Sequence, residues 1–390
     1  MAVPQSDVRL GAATRGGLVD RILAWRNDLL ASQRFQRFAT MFPLTRRVSQ
    51  QQSRALFDIC AGFVYSQILL ACVRLNLFDI LAEGPADVAT LALRLKLGAE
   101  ATQRLLDAAV ALRLVARRSG GRYGLGMLGA AMRGNPGIAD MVEHHILLYA
   151  DLADPVALLR NGDRETNLAQ FWSYARAGEP AKLENADTAA YTRLMSASQG
   201  FVAGDLLDAY DLRPHHTLMD VGGGDGTFLS HAAARAPQLR LVLFDLPPVA
   251  AAAQLRFAAN GLAARASVES GDFSIDPLPR GGDIISLIRV LHDHDDARAL
   301  KILRNIHAAL PPGGTLLLGE PMSGTPGAEP VGDAYFGFYL LAMRSGRPRQ
   351  PPQIIALLEA AGFTGARLVR TRRPLLTGLI TARVSGRPDD

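Results

Sequence analysis

The chain has 390 residues, 48% hydrophobic and 20% charged, with 37 glycines and 22 prolines that follow no period; this globular balance leaves room for two or three domains and excludes disordered, collagen-like and low-complexity classes. The formal net charge of +5 rests on arginine, with only Lys96, Lys182 and Lys301 as lysines, and this compositional bias is weak ground for nucleic-acid binding. Cys60 and Cys72 make neither a disulfide framework nor a zinc set, so a reducing cytoplasm is the expected compartment.

Met1–Gly11 has no apolar core, and no signal peptide is expected. Residues 1–50 read as an amphipathic extension. Within it, Arg21–Arg47 sets Trp25, Leu29, Phe35, Phe38 and Phe42 among Arg21, Arg26, Arg34 and Arg37. Such a basic amphipathic helix either packs on a partner subunit or lies on an anionic membrane surface. Residues 51–135 read as helices followed by a hairpin. Leu56–Arg74 is the first helix. Its uncharged core, Ile59–Val73, is 15 residues, fewer than the roughly 20 of a membrane span, and predicts a buried helix. Asp87–Leu97 and Ala99–Leu112 follow, then Leu114–Arg117 and Arg122–Leu125 around the turn Ser119-Gly120-Gly121. Three helices and a hairpin outline a winged helix. Residues 136–215 read as a helical connecting and substrate-lining segment, with loop signals at Asn161-Gly162-Asp163 and Gly178-Glu179-Pro180.

From 216 to 390 the period changes. Strand-like runs at Thr217–Val221, Leu239–Phe244, Ser267–Ser270, Asp283–Leu291 and Thr315–Leu318 alternate with helical stretches at Phe228–Arg235, Val249–Asn260 and Asp295–Leu310. Alternation of this kind predicts βαβ units and a mostly parallel, Rossmann-like sheet. The helix Gln353–Ala361 and the runs Ala366–Arg370 and Leu376–Val384 predict an antiparallel end.

The strongest local signal is Asp220-Val221-Gly222-Gly223-Gly224-Asp225-Gly226 after the first strand of this region. Glycines there let the backbone turn tightly and approach a ligand. A nicotinamide fingerprint would need glycine at 227, where Thr227 stands. Asp245 closes the next strand and is placed to accept both hydroxyls of a ribose. Asp272, after the third, is placed to accept from an adenine amino group, with Phe273 beside it to cover the ring. An acidic site at three successive strand ends suits a nucleoside with a positive centre, and S-adenosylmethionine matches that description.

Arg289-Val290-Leu291-His292-Asp293 follows the fourth strand. Methyl transfer from a sulfonium is a single in-line displacement, in which the acceptor hydroxyl loses its proton as the bond forms. A neutral imidazole at 292 suits that proton, and Glu320, at the end of the fifth strand, is the candidate carboxylate behind it. The run His292–Asp296 also admits a metal reading, but it lacks the helical spacing of known two-histidine sites, and no metal is expected. Asp295 and Asp296 read as acids at a helix N-terminus.

Asp220–Gly226, Phe244-Asp245-Leu246-Pro247, Gly271-Asp272-Phe273 and Leu291-His292-Asp293 together resemble the plant-type, class-II-like O-methyltransferases that use S-adenosylmethionine. That family includes caffeate and acetylserotonin methyltransferases, and the resemblance spans roughly residues 55–385. It implies an N-terminal winged-helix dimerisation domain, a C-terminal Rossmann-like domain and a homodimer. It also implies a cofactor held among Asp220, Gly222, Gly224, Gly226, Asp245, Leu246, Asp272, Phe273 and Arg289, with His292 as catalytic base and Glu320 as a flanking acid. Two positions depart from the family. Pro348 stands where a second flanking glutamate is usual, and His294 stands where tryptophan follows the His-Asp pair. Both departures point to an acceptor unlike a small phenol.

Within the family, Phe42-Pro43-Leu44-Thr45-Arg46 with Ala55–Phe78, Glu320–Gly324, and Gly332–Phe336 with Leu341–Arg344 resemble the bacterial carotenoid enzymes of the demethylspheroidene and hydroxyneurosporene type. That implies methylation of a tertiary hydroxyl on an acyclic carotenoid, a lipid-like acceptor, and peripheral contact with the inner membrane. Phe57, Phe63, Tyr65, Phe336, Phe338 and Tyr339 then line a channel, or else are ordinary core. A phenol, an indole or a tetrapyrrole carbon is an alternative acceptor. A DNA-binding regulator is the alternative class, but Ala99–Leu112 offers only Arg104 and Arg113 nearby, thin for groove binding.

Overall fold

The structure, a computed structural model, describes residues 17–160, 165–172, 185–374 and 377–386. Met1–Gly11, both loop signals of the connecting segment and Leu376 lie outside these residues. Three helices come first: α1 (Leu18–Ala31), α2 (Gln33–Met41) and α3 (Pro43–Arg74). The basic amphipathic stretch is therefore broken in two places, at Ser32 and Phe42, which both take extended backbone. Phe42 precedes a proline, which disfavours helical geometry there while Pro43 itself suits the first helical position.

α3 is longer than expected and is not a buried helix. Of its 32 residues only Leu70 and Cys72 are buried, and residues 51–60 are exposed on every side. Its last turns pack on α4 (Leu77–Ala82), α6 (Ala99–Ala111) and α8 (Pro136–Asp151). The rest carries apolar surface that the described residues do not cover. By length and composition alone α3 is long and apolar enough to cross a membrane, although Asp58 interrupts it. The six-residue α4 had no legible period; Asn76 enters it in the left-handed region at φ 52°.

α5 (Val88–Leu95) is capped by Asp87, which accepts from the Thr90 N–H at 2.8 Å. The antiparallel hairpin β1 (Val115–Arg118) and β2 (Arg122–Leu125) completes the N-terminal domain around Leu77, Leu81, Leu91, Leu106 and Val115. α7 (Met127–Arg133), α8, α9 (Pro155–Arg160), α10 (Asn167–Phe171) and α11 (Asn185–Ala209) lead to the second domain.

That domain is a seven-stranded sheet of β3 (Thr217–Val221), β4 (Arg240–Asp245), β5 (Ala266–Ser270), β6 (Ile284–Ile288), β7 (Thr315–Glu320), β8 (Phe363–Val369) and β9 (Gly378–Val384). Their order is β5-β4-β3-β6-β7-β9-β8, with β3 to β7 parallel and β8 and β9 antiparallel. α12 (Thr227–Arg235), α13 (Pro247–Ala259) and the end of α11 cover one face through Phe228, Phe257 and Leu206. α14 (Asp296–Ala309) and α16 (Pro351–Ala360) cover the other through Leu303, Ile306 and Leu358. α15 (Gly337–Met343) follows a π-helical segment, Pro330–Phe336. The chain reverses its march across the sheet between β3 and β6, and the crevice beyond their carboxyl ends is where open α/β sheets bind ligands. The fourth strand of the sheet stops three residues earlier than expected, because Arg289 takes φ 59° and breaks it.

Candidate active site

Two turns leave that crevice edge, one after β3 and one after β6. In the first, Gly222 and Gly226 have φ of 69° and 79°. A Cβ on Gly222 would sit 2.7 Å from the Val290 side chain, and one on Gly226 would sit 2.6 Å from Phe257. Glycine is thus required for both backbone conformation and space. Asp245, at the end of β4, ties the loop down: one carboxylate oxygen accepts from the Gly224 N–H and the other from the Leu246 N–H, both at 2.7 Å. Burial pushes Asp245 up to about 6 against the pull of those two N–H groups. Asp220 is fully buried against Gly223 and accepts from the Ser286 hydroxyl at 2.6 Å. Burial raises its carboxyl to about 7, with Ser286 opposing.

Gly222, Gly223, Gly224 and Asp225 face Gln199 and Arg289 across a small cavity of 40 Å³. Among the expected cofactor residues, Gly222, Gly224 and Arg289 line it, Asp245 is bonded to its glycine wall, and Gly226 turns the chain into α12. Asp220 does not line the cavity. Asp272 and Phe273 stand beyond β5. One oxygen of Asp272 accepts from the Ser274 N–H and hydroxyl, while the other is buried with no hydrogen-bond partner. The Phe273 ring meets His294 edge-on at 5.9 Å, and burial drives His294 down to about 3. Glycines that exclude side chains, acceptor-rich strand ends and a buried carboxylate oxygen that makes no hydrogen bond and lies 3.7 Å from the Arg298 guanidinium fit a nucleoside bearing hydroxyl and amino donors.

The second turn carries His292, which is buried. Its Nδ1 hydrogen-bonds Glu320 Oε2. A carboxylate only accepts, so Nδ1 carries the proton of that bond. The other Glu320 oxygen accepts from the Val290 and Leu291 N–H groups at 3.0 and 2.6 Å. Glu320 thereby fixes both the imidazole and the backbone that presents it. The second carboxylate at the ring is Asp293, whose Oδ1 lies 3.2 Å from Nε2. Burial pulls the imidazole down, but Asp293 and Glu320 together outweigh it and hold His292 above the ordinary histidine range.

With Pro348 in place of an acid, Ser345–Arg349 instead holds the carbonyls of the turn. Ser345 donates to the Asp293 carbonyl at 2.5 Å, and the Arg347 N–H to that of His292 at 2.9 Å. Buried Arg349 donates to the carbonyls of Leu291 and His294 at 3.0 and 2.7 Å and pairs with Asp296. Asp295 caps α14 as expected, accepting from the Arg298 N–H at 2.8 Å. Asp293 follows the base in the sequence with nothing in its spacing to mark it as a second carboxylate at the ring. Ser345 and Arg349 lie more than fifty residues from the backbone they hold, and no spacing signals such a pairing.

His292 and Asp293 open onto a larger apolar cavity of 390 Å³ lined also by Met141, Trp172, Tyr335, Phe336 and Tyr339. Arg289 lines both cavities and marks their junction; its guanidinium donates to the Ser198 hydroxyl at 2.8 Å. Of the six aromatics expected to line a channel, only Phe336 and Tyr339 do. Phe57, Phe63 and Phe338 are exposed in this chain, and Tyr65 lies away from the cavity. Reading missed His144 and His145 on α8. His144 Nε2 bonds the Tyr339 hydroxyl at 2.7 Å, which also accepts from Trp172 Nε1 at 2.8 Å, and His145 bonds Tyr335 at 2.8 Å. Burial pushes His144 down to about 4, so this wall is neutral.

A family model for the O-methyltransferase domain matches residues 149–364, and one for the O-methyltransferase dimerisation domain matches residues 57–132. The chain is 44% identical over 368 residues to the demethylspheroidene O-methyltransferase of Cereibacter sphaeroides, covering 94% of this chain and 96% of that protein. It is 45% identical over 352 residues to the enzyme of the same name from Rhodobacter capsulatus, covering 90% and 87%. Among solved structures, human N-acetylserotonin methyltransferase in complex with S-adenosylmethionine superimposes with a TM-score of 0.72 at 27% identity, covering 86% of this chain and 98% of that one.

Proposed function

Given that this chain belongs to the S-adenosylmethionine-dependent O-methyltransferase family, we propose that it methylates the tertiary hydroxyl of an acyclic carotenoid. The observation that carries the reading is the buried His292–Glu320 pair opening onto an apolar cavity that meets the glycine-walled one at Arg289. The two demethylspheroidene relatives, aligned along nearly the whole chain, support the acceptor class. The larger cavity lies in the range of small-ligand pockets, roughly 300–1,000 Å³, and takes the hydroxylated end of a long polyene.

In this reading Gly222, Gly224, Gly226, Asp245 and Leu246 hold the cofactor's sugar side, Asp272 and Phe273 its base, and Arg289 the end nearest the acceptor. Asp220 supports the loop from within. When bound, the cofactor supplies an electrophilic methyl carbon on a sulfonium. His292 Nε2 would take the acceptor's hydroxyl proton as the carbon–oxygen bond forms and the methyl–sulfur bond breaks, the sulfur leaving as the neutral thioether S-adenosylhomocysteine. A tertiary alcohol is a weak acid, so deprotonation and transfer occur together. Glu320 holds the proton at Nδ1, so that Nε2, beside Asp293, accepts once the imidazole is neutral, and both carboxylates stabilise the imidazolium that results. Phe336, Tyr339 and Trp172 keep water from the reacting hydroxyl.

The separate apolar core around Leu77, Leu91 and Leu106 supports a domain over 51–135, while the connecting helices pack with the second domain, the end of α11 through Leu206 on the sheet and α8 and α10 against α15. The dimerisation domain supports a homodimer, and the exposed apolar flank of α3 at Phe57, Ile59, Phe63 and Val64 supplies a surface for the second copy. We place the enzyme in the cytoplasm, at the face of the membrane that holds its acceptor. Incubation with methyl-labelled S-adenosylmethionine and a panel of hydroxylated carotenoids, phenols and hydroxyindoles tests the function. Label is expected in the tertiary carotenoid ether; labelling of a phenol or hydroxyindole alone would overturn the acceptor.

A further inference from the structure

The helices that precede the dimerisation domain have no role in the chemistry above. α1 packs on α2 and α2 on α3, so they form one folded unit. α1 buries none of its residues and α2 buries only Ala39. Trp25 is 66% exposed, Phe38 56% and Met41 81%, with Leu18 and Ile22 exposed on the same helix as Trp25. Phe38 and Phe42 stack at 5.4 Å, which extends the aromatic surface across the α2–α3 corner. Between residues 18 and 56 stand seven arginines and two aspartates, and no lysine or glutamate.

Two occupants would satisfy the apolar part of this surface: a second copy of the chain or a lipid surface. Charge separates them. A two-fold interface lays the same patch on itself, which would bring one set of arginines against the other. An anionic bilayer complements them, and its interfacial zone accepts tryptophan, phenylalanine and leucine from amphipathic helices lying in the plane. The family models agree with this division, because dimerisation matches only from residue 57 onward.

We propose that α1, α2 and α3 as far as residue 56 form a lipid-docking surface that seats the enzyme on an anionic bilayer. The surface deepens the carotenoid reading and rests on it only for its purpose, delivery of a polyene end from the membrane to the cavity. α3 also packs on α8, which carries Met141 and His145 of the cavity wall, so the docked helices and the acceptor site share one continuous helical support.

The test uses the full-length chain and carotenoid-free vesicles, of phosphatidylcholine alone or mixed with phosphatidylglycerol. Flotation with the mixed vesicles is expected, weakening as salt rises. Neutralising Arg21, Arg26, Arg34 and Arg37 together to glutamine is expected to reduce it by roughly tenfold or more, with the dimer unchanged on size exclusion. The chain has two tryptophans, and the other, Trp172, is buried. A blue shift of fluorescence on mixed vesicles is therefore expected from Trp25, and Trp25→Phe should abolish the shift while keeping flotation. No flotation, equal flotation on neutral vesicles, or dissociation of the dimer by the arginine substitutions overturns the proposal, the last by assigning the face to a second copy. Because no carotenoid is present, these failures leave the acceptor reading intact, and failure of the acceptor assay leaves the lipid surface intact.

Discussion

Gly346 lies so close to His292 that a Cβ on it would stand 1.9 Å from the His292 carbonyl oxygen. The same residue has φ 73°, where a side chain is strained even without a neighbour. Gly346→Ala must therefore displace the turn that presents the base. We expect loss of more than roughly nine-tenths of turnover and a stability cost of about 1–3 kcal/mol, read from steady-state rates and thermal unfolding. Activity equal to the parent would show that the turn tolerates movement.

His292→Ala should lower turnover by about 10²–10⁴-fold and leave cofactor affinity nearly unchanged, because the base acts in the transition state. Glu320→Gln should also lower turnover, since it removes the charge behind the ring while keeping an oxygen for the Val290 and Leu291 N–H groups. Isothermal titration with S-adenosylhomocysteine alongside rate measurement separates the two effects.

The pH dependence follows from the sign of the His292 shift. Its proton is held above the ordinary histidine range, mainly because Asp293 and Glu320 overcome burial. A base must first lose that proton, so kcat/KM should rise with pH along an acid limb lying above the ordinary histidine range. Asp293→Asn removes one of the charges responsible and should move the limb to lower pH. A limb that stays in place would assign the titration to another group.

Asp245→Ala removes the acceptor for Gly224 and Leu246 as well as the proposed ribose partner. A charged hydrogen bond contributes about 1.5–3 kcal/mol, so cofactor affinity should fall by about ten- to a hundredfold. In the parent, affinity should also weaken as pH falls through about 6, where the Asp245 carboxylate takes up a proton. Titration calorimetry between pH 5 and 8, spanning that value, reads both.

The strand ends were legible because they are punctuated by rare chemistry. Glycines that need positive φ and acids that close apolar runs leave a mark at fixed spacing, and Asp220, Gly222, Asp245 and His292 fell where such marks stand. The cavity wall was not legible. His144, His145, Trp172 and Tyr339 meet only because α8, α10 and α15 pack together, and at the sequence level each is an ordinary aromatic in a helical stretch. The exposure of α3 was hidden for a different reason: an apolar helix looks the same whether its own chain or another surface covers it.

Glu320 ends β7 and His292 stands in the turn that leaves the adjoining β6, the two strands being held in step from Thr315 opposite Ile284 to Gly319 opposite Ile288. β7 is clasped on its other side by β9. The ladder thus fixes the strand ends from which acid and imidazole project, while the acceptor's surroundings come from helices outside it. Lineages can exchange those helical walls, and with them the molecule that is decorated, without disturbing the reacting pair. A scaffold divided in this way can diversify its chemistry's clientele while inheriting the reaction whole.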